Sequence, residues 1–209
     1  MNRKGFTLLE MVVAVTILAA IAGILAASIR LAAASIERGE TQVAKMGRLK
    51  AVIDVLERAI RSTDPTPIPA GDNAAPYFRG EGNRLRFLSL APASPVPGRG
   101  FRLFCLFQAS GANGEGLAVA DASPFRAGGA DAWEGTQGSR LLLAGATAVR
   151  FSYSEGPSPN GSWEWRDDWD SRESGRLPRG VRVEFSSPSE EGPLKTSLVV
   201  PIPAVEGGP

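Results

Sequence analysis

Residues Lys4 to Ile29 read KGFTLLEMVVAVTILAAIAGILAASI. The apolar run from Phe6 to Ile29 is about 24 residues, and at about 1.5 Å per residue a helix of that length crosses a hydrocarbon layer of about 30 Å. One carboxylate, Glu10, lies near its start. About half of the run is Phe, Leu, Ile or Val, each worth about −0.3 to −0.6 kcal/mol for insertion, against about +3 for an acid at the helix centre. The apolar surface outweighs the acid. Arg3 and Lys4 precede the run, and positive charge before a first span holds that end in the cytoplasm, which sends the remaining chain across.

Two simpler readings leave Glu10 without a purpose. A removable secretory signal has a basic start, an apolar core and small residues near its end, such as LAAAS at Leu31 to Ser35, but its apolar core is shorter and free of acids. An ordinary single-span anchor accounts for the length and the basic flank only. An ionisable group within a span is costly unless paired, so Glu10 is a functional residue by default, with a cationic amine as its natural partner.

The stretch RKGFTLLEMVVAV resembles the class III leader of type IV pilins and type II secretion pseudopilins, through Gly5, Phe6, Thr7, Leu8, Leu9 and Glu10. The resemblance implies cleavage between Gly5 and Phe6 by prepilin peptidase on the cytoplasmic side, then N-methylation of Phe6. The span stays on the protein. Glu10 then stands five residues into the cut chain, and its implied assembly partner is the new amino terminus, Phe6, of a neighbouring subunit.

The rest of the chain limits what function it can have. About 180 residues follow the span, enough for one domain with its own core. Lys and Arg number 23 against 22 Asp and Glu, a net charge of +1, so no global charge attracts nucleic acid. There is no histidine, which excludes His-dependent triads and His-containing zinc sites and points away from enzymes. No metal or cofactor is expected. The single cysteine, Cys105, lies in FRLFCLF, where a thiol behaves as a small buried hydrophobe.

Helical periodicity continues past the membrane run, with Ile36, Val43, Met46, Leu49, Ile53, Leu56 and Ile60 forming an apolar stripe. The prolines of STDPTPIP end it. One helix of about 55 residues, about 80 Å long, is expected; a loop at Arg38 to Glu40 that makes its second half a separate core helix is the alternative. From Asp64 to Gly82 the composition is that of a connection. Beyond it the apolar period becomes two, and strands are expected at Arg84 to Leu90, Phe101 to Phe107, Gly116 to Ala120, Arg140 to Gly145, Thr147 to Ser154, Ser162 to Trp165, Val181 to Phe185 and Thr196 to Val200. The expected organisation is a leader at 1–5, a transmembrane assembly half of the helix at 6–29, an amphipathic half at 30–63 and a β-rich globular domain at 64–209. The fold class is α+β, a long N-terminal helix on a mainly antiparallel sheet, as in pilin-like proteins.

The segment from Ala148 to Phe185 resembles the tail of the minor pseudopilin J of type II secretion through Phe151, Tyr153, Trp163, Trp169, Leu177, Pro178 and Val181. That resemblance implies a structural subunit of a pseudopilus tip complex. Its partners would be I-like and K-like minor pseudopilins, the major pseudopilin, prepilin peptidase and the inner-membrane assembly platform, with the C-terminal domain periplasmic. A minor pilin of a type IV pilus or competence system shares the leader and fold. A secreted β-rich module that binds carbohydrate through its tryptophans is a third possibility.

Three segments invite a site. Trp163, Trp165 and Trp169 offer a core cluster or an interface. Glu164, Asp167, Asp168, Asp170 and Glu173 resemble calcium ligands in type but not in spacing, and Arg166 and Arg172 among them favour a solvated, internally paired loop. SGANGEG, Ser110 to Gly116, lies between two strands and reads as a hairpin loop rather than a phosphate cradle.

Overall fold

The computed structural model describes residues 8–67, 75–90, 100–111, 114–125, 133–189 and 192–203, with the side chains of 33–42 left aside. The chain divides into two compact units, Met1–Arg48 and Leu49–Pro209. Helix α1 is continuous from Leu8–Arg61, so no loop interrupts it at Arg38 to Glu40.

In the first unit α1 opens with a long, predominantly apolar run that Glu10 and Arg30 interrupt. Leu8–Ala32 has a mean hydropathy of 2.6 over the window that defines it as long and apolar enough to cross a membrane. Its hydroxyls are satisfied within the helix: Thr16 Oγ1 donates to the Val13 carbonyl at 2.8 Å and Ser28 Oγ to the Ile24 carbonyl at 2.9 Å. Such bonds let polar side chains enter hydrocarbon without an unmet donor.

The second unit holds the last turns of α1 and two antiparallel sheets. The strands are β1 (Phe78–Glu81), β2 (Arg84–Ser89), β3 (Arg102–Ala109), β4 (Gly116–Ala122), β5 (Arg140–Ala144), β6 (Thr147–Ser154), β7 (Trp169–Asp170), β8 (Gly180–Ser187) and β9 (Leu194–Pro201), with a one-turn helix α2 (Ser171–Ser174) after β7. One sheet has the order β5-β4-β3-β2-β1-β7, the other β6-β8-β9. This is the α+β class expected from the sequence. The glycine-rich SGANGEG lies at the β3–β4 hairpin, where Ala109 pairs with Gly116; residues 112–113 are outside the described residues.

Val52, Leu56, Ala59 and Ile60 of α1 are buried with Phe87, Phe104, Leu106 and Leu117 of one sheet and Phe151, Val183, Phe185 and Val200 of the other. Ile53, on the expected stripe, is half buried. The helix end is tied down by β2. Ser89 Oγ donates to the Ala59 carbonyl at 2.9 Å, and the Asp64 backbone N–H donates to the Leu88 carbonyl at 2.9 Å. Pro65 then forbids another turn.

FRLFCLF behaves as its alternation suggests, with Leu103, Cys105 and Phe107 on one face and Phe101 packed against them. Its other face is equally buried: Phe104 and Leu106 enter the main core, while Leu103, Cys105 and Phe107 meet Leu88, Ala118, Ala120 and Trp133 in a second one. Leu177 and the buried Pro178 lead into β8, as the sequence suggests.

Two expectations are corrected. The connection expected from Asp64 to Gly82 contains β1, whose Phe78 is its one large apolar residue; pairing with β2 across the two-residue Gly82-Asn83 turn makes it a strand. Ser162 to Trp165 is not a strand. It makes only isolated bridges, Trp163 to Pro157 and, just beyond, Arg166 to Tyr153.

Candidate functional site

The site that the sequence places at the front of the chain begins with Gly5 and Phe6, which lie outside the described residues. Glu10 is described, and it stands in the first turn of α1. There the helix dipole presents its positive end, which favours a carboxylate. From Met11 to Ile29 the helix presents only apolar side chains and internally bonded hydroxyls. A charge at the mouth of such a helix can dock against a cation from another molecule at a defined depth, because sliding it deeper would place it in hydrocarbon.

Residues 1–26 match the family model described as the prokaryotic N-terminal methylation motif. The chain carries a prepilin-type leader. A leader of this kind supports a type IV pilin-like or pseudopilin class, with processing by prepilin peptidase and assembly with pilin-like subunits in a membrane system. By length and composition, the apolar helix that follows it is that of a single-pass anchor. A comparison of the chain with curated proteins finds no match.

Away from the leader, the three tryptophans separate. Trp163 and Trp165 stack on each other with ring centroids 5.5 Å apart and planes 14° apart. The Arg182 guanidinium of β8 lies over Trp165 at 4.1 Å from the ring centroid, a cation–π contact. Trp163 covers Gly180, where a Cβ would come within 2.5 Å of its Cζ3. The pair is thus braced against β8 and remains half-exposed. Trp169 is a correction to the interface reading: it is 4% exposed, in the main core, with Nε1 donating to the Arg176 carbonyl at 3.1 Å. An apolar ring that ends in a donor is well placed there, since both halves are satisfied.

Arginines of other strands reach into the acidic segment. Arg150 of β6 holds Asp167 at 2.9 Å and Arg79 of β1 holds Asp170 at 3.2 Å, while Arg166 of the segment and Arg176 both hold Glu155, outside it, at 2.5 Å. Asp170 also caps α2. Among the described residues no group of three or more His, Cys, Asp and Glu is placed to hold a metal ion. Sequence reading missed Arg79, Arg86 and Arg182 as members of any cluster. Only Gly82-Asn83, a two-residue hairpin turn, signalled in the sequence that Arg79 and Arg86 would face each other.

Proposed function

We propose that the chain is a J-like minor pseudopilin of a type II secretion system, a structural assembly subunit and not an enzyme. The observation that carries this reading is a methylation motif running directly into an apolar helix with Glu10 in its first turn. The β-rich unit supports it, because its tail keeps the aromatic strand, the Leu177-Pro178 lead and β8 in the order of J-like tails. Prepilin peptidase cuts between Gly5 and Phe6, Phe6 is methylated, and the mature helix remains in the inner membrane with the second unit in the periplasm. Glu10 then docks against the amino terminus of a neighbouring subunit, so that correct stacking and charge pairing occur together. Partners are I-like and K-like minor pseudopilins, the major pseudopilin and the inner-membrane platform, in a tip complex that starts assembly. The Trp163–Trp165 pair is a further contact surface for them. A minor pilin of a type IV pilus or competence system shares the leader; the segment from Ala148 to Phe185 favours the J-like reading.

The first test is the mature amino terminus, read by mass spectrometry of membrane-extracted protein from the native host. Methyl-Phe6 is the expected result. A start near Ser28 or Ser35 means a conventional signal and a released module, and overturns the proposal. The second test is Glu10→Ala, which is processed normally but fails to co-purify with I-like and K-like subunits and impairs secretion. Normal co-purification and secretion in that variant remove Glu10 from the mechanism.

A further inference from the structure

The outer face of the six-stranded sheet sets two arginines side by side. The antiparallel register puts Arg79 of β1 directly opposite Arg86 of β2, and like charges facing each other across a strand pair repel. On the other side of Arg79 stands Asp170 of β7. Asp170 Oδ2 accepts from Arg79 Nε at 3.2 Å and its Oδ1 accepts the Arg172 backbone N–H at 2.9 Å, so both carboxylate oxygens are engaged.

Arg86 is held less well. Its side chain is only 11% exposed, yet among the described residues its ion pair is with Glu81 at 3.5 Å, and its buried Nε reaches no acceptor. A buried donor without an acceptor is uncommon in folded proteins. Because Arg86 is held at one corner only, its fork can turn toward an anion without giving up a good bond. Beside it lies a small hollow lined by Pro76, Tyr77, Arg79, Arg86, Asp170 and Arg172. Arg79 and Arg86 both border it, and guanidinium groups stay charged at any ordinary pH.

We propose that this hollow is an oxyanion-binding site, taking a carboxylate or a phosphate-type group between the Arg79 and Arg86 forks. The forks supply paired N–H donors of the geometry that such groups accept. A bound oxyanion relieves the repulsion between the two facing arginines and gives Arg86 the acceptor that Glu81 supplies only at long range. The hollow suits one small group, not a nucleotide. It uses residues of the β-rich unit alone and stands whether or not the pseudopilin reading does.

The test is an NMR titration of the full chain in nonionic detergent micelles, with 15N-labelled arginine and the Nε–H signals of Arg79 and Arg86 followed. Sodium phosphate and sodium acetate are added separately, each against sodium chloride at matched ionic strength. A saturable shift of both signals with one of the oxyanions is expected, and the salt that saturates first names the class of group. Arg79→Gln, at a half-exposed position, should weaken binding about tenfold, the effect of one charge-assisted hydrogen bond. Arg86→Lys keeps the charge but loses the fork, and should weaken binding as well. Shifts that merely follow chloride, or saturation unchanged in both variants, overturn the proposal.

Discussion

Gly80→Ala tests the packing that joins the two sheets. A Cβ at Gly80 would fall 2.1 Å from Tyr153 Cζ and within 2.6 Å of both Cε atoms, against an ordinary contact of about 3.5 to 4.0 Å between carbons. The ring cannot turn aside, since the collision is with its tip, so the whole side chain has to move by more than about 1 Å. Tyr153 is buried, its hydroxyl donates to the Glu81 carbonyl at 3.0 Å and lies 3.4 Å from the Arg84 carbonyl, and Phe78 meets its ring edge-on at 5.8 Å. Overpacking costs about 1–3 kcal/mol, and displacing a buried hydroxyl from its acceptor adds about 1–3. The variant should lose about 2–6 kcal/mol, a large part of the 5–15 typical of a domain. Urea unfolding of the full chain in nonionic detergent, followed by tryptophan fluorescence, measures it. Tyr153→Leu in the same background removes the obstructing ring tip, so the double variant should be less destabilised than the sum of the two singles. A Gly80→Ala variant within about 1 kcal/mol of the parent, or strict additivity in the cycle, refutes the reasoning.

Other outcomes follow from named groups. Burial pushes the Cys105 thiol up to about 11 from 9.0; the folded state holds the proton more tightly than the unfolded one, so stability is full below pH 9 and falls as pH rises toward 11. The loss is at most about 3 kcal/mol, and Cys105→Ala should flatten that limb of an alkaline denaturation curve. Tyr153 is displaced the same way, well above 10.0, by burial first and then by the nearby acids, so Tyr153→Phe should reduce the loss that begins above pH 10. Asp121, whose side chain is 12% exposed, accepts from Arg102 Nε at 2.7 Å and from Arg140 Nη1 at 3.0 Å. Asp121→Ala should cost about 2–3 kcal/mol in the same urea assay and raise hydrogen exchange in β5 first, because two partly buried guanidinium groups lose the carboxylate they share. Ser89→Ala removes the hydroxyl that holds the end of α1, and should cost about 1–2 kcal/mol with the protection of Ala59 to Thr63 most reduced.

The leader, the apolar helix and most strands were legible in the chain itself, for a physical reason. Helical and extended periodicity are set by neighbours three, four or two residues apart, and a peptidase motif is read from contiguous residues. The methylation motif over residues 1–26 is recognised without help from the fold, and Thr147 to Ser154 shows its period over its own length. The alternation of FRLFCLF likewise marked one buried face. The burial of its second face, the retreat of Trp169 into the core and the stacking of Trp163 under Arg182's neighbour Trp165 depended on which strands came to lie across from them. The facing of Arg79 and Arg86 follows from the short Gly82-Asn83 turn, but the approach of Asp170 to Arg79 from 91 residues away was decided by register. Register is fixed by the balance of the whole core, since a shift of one residue would turn every side chain of a strand to its other face, and no local pattern contains that balance.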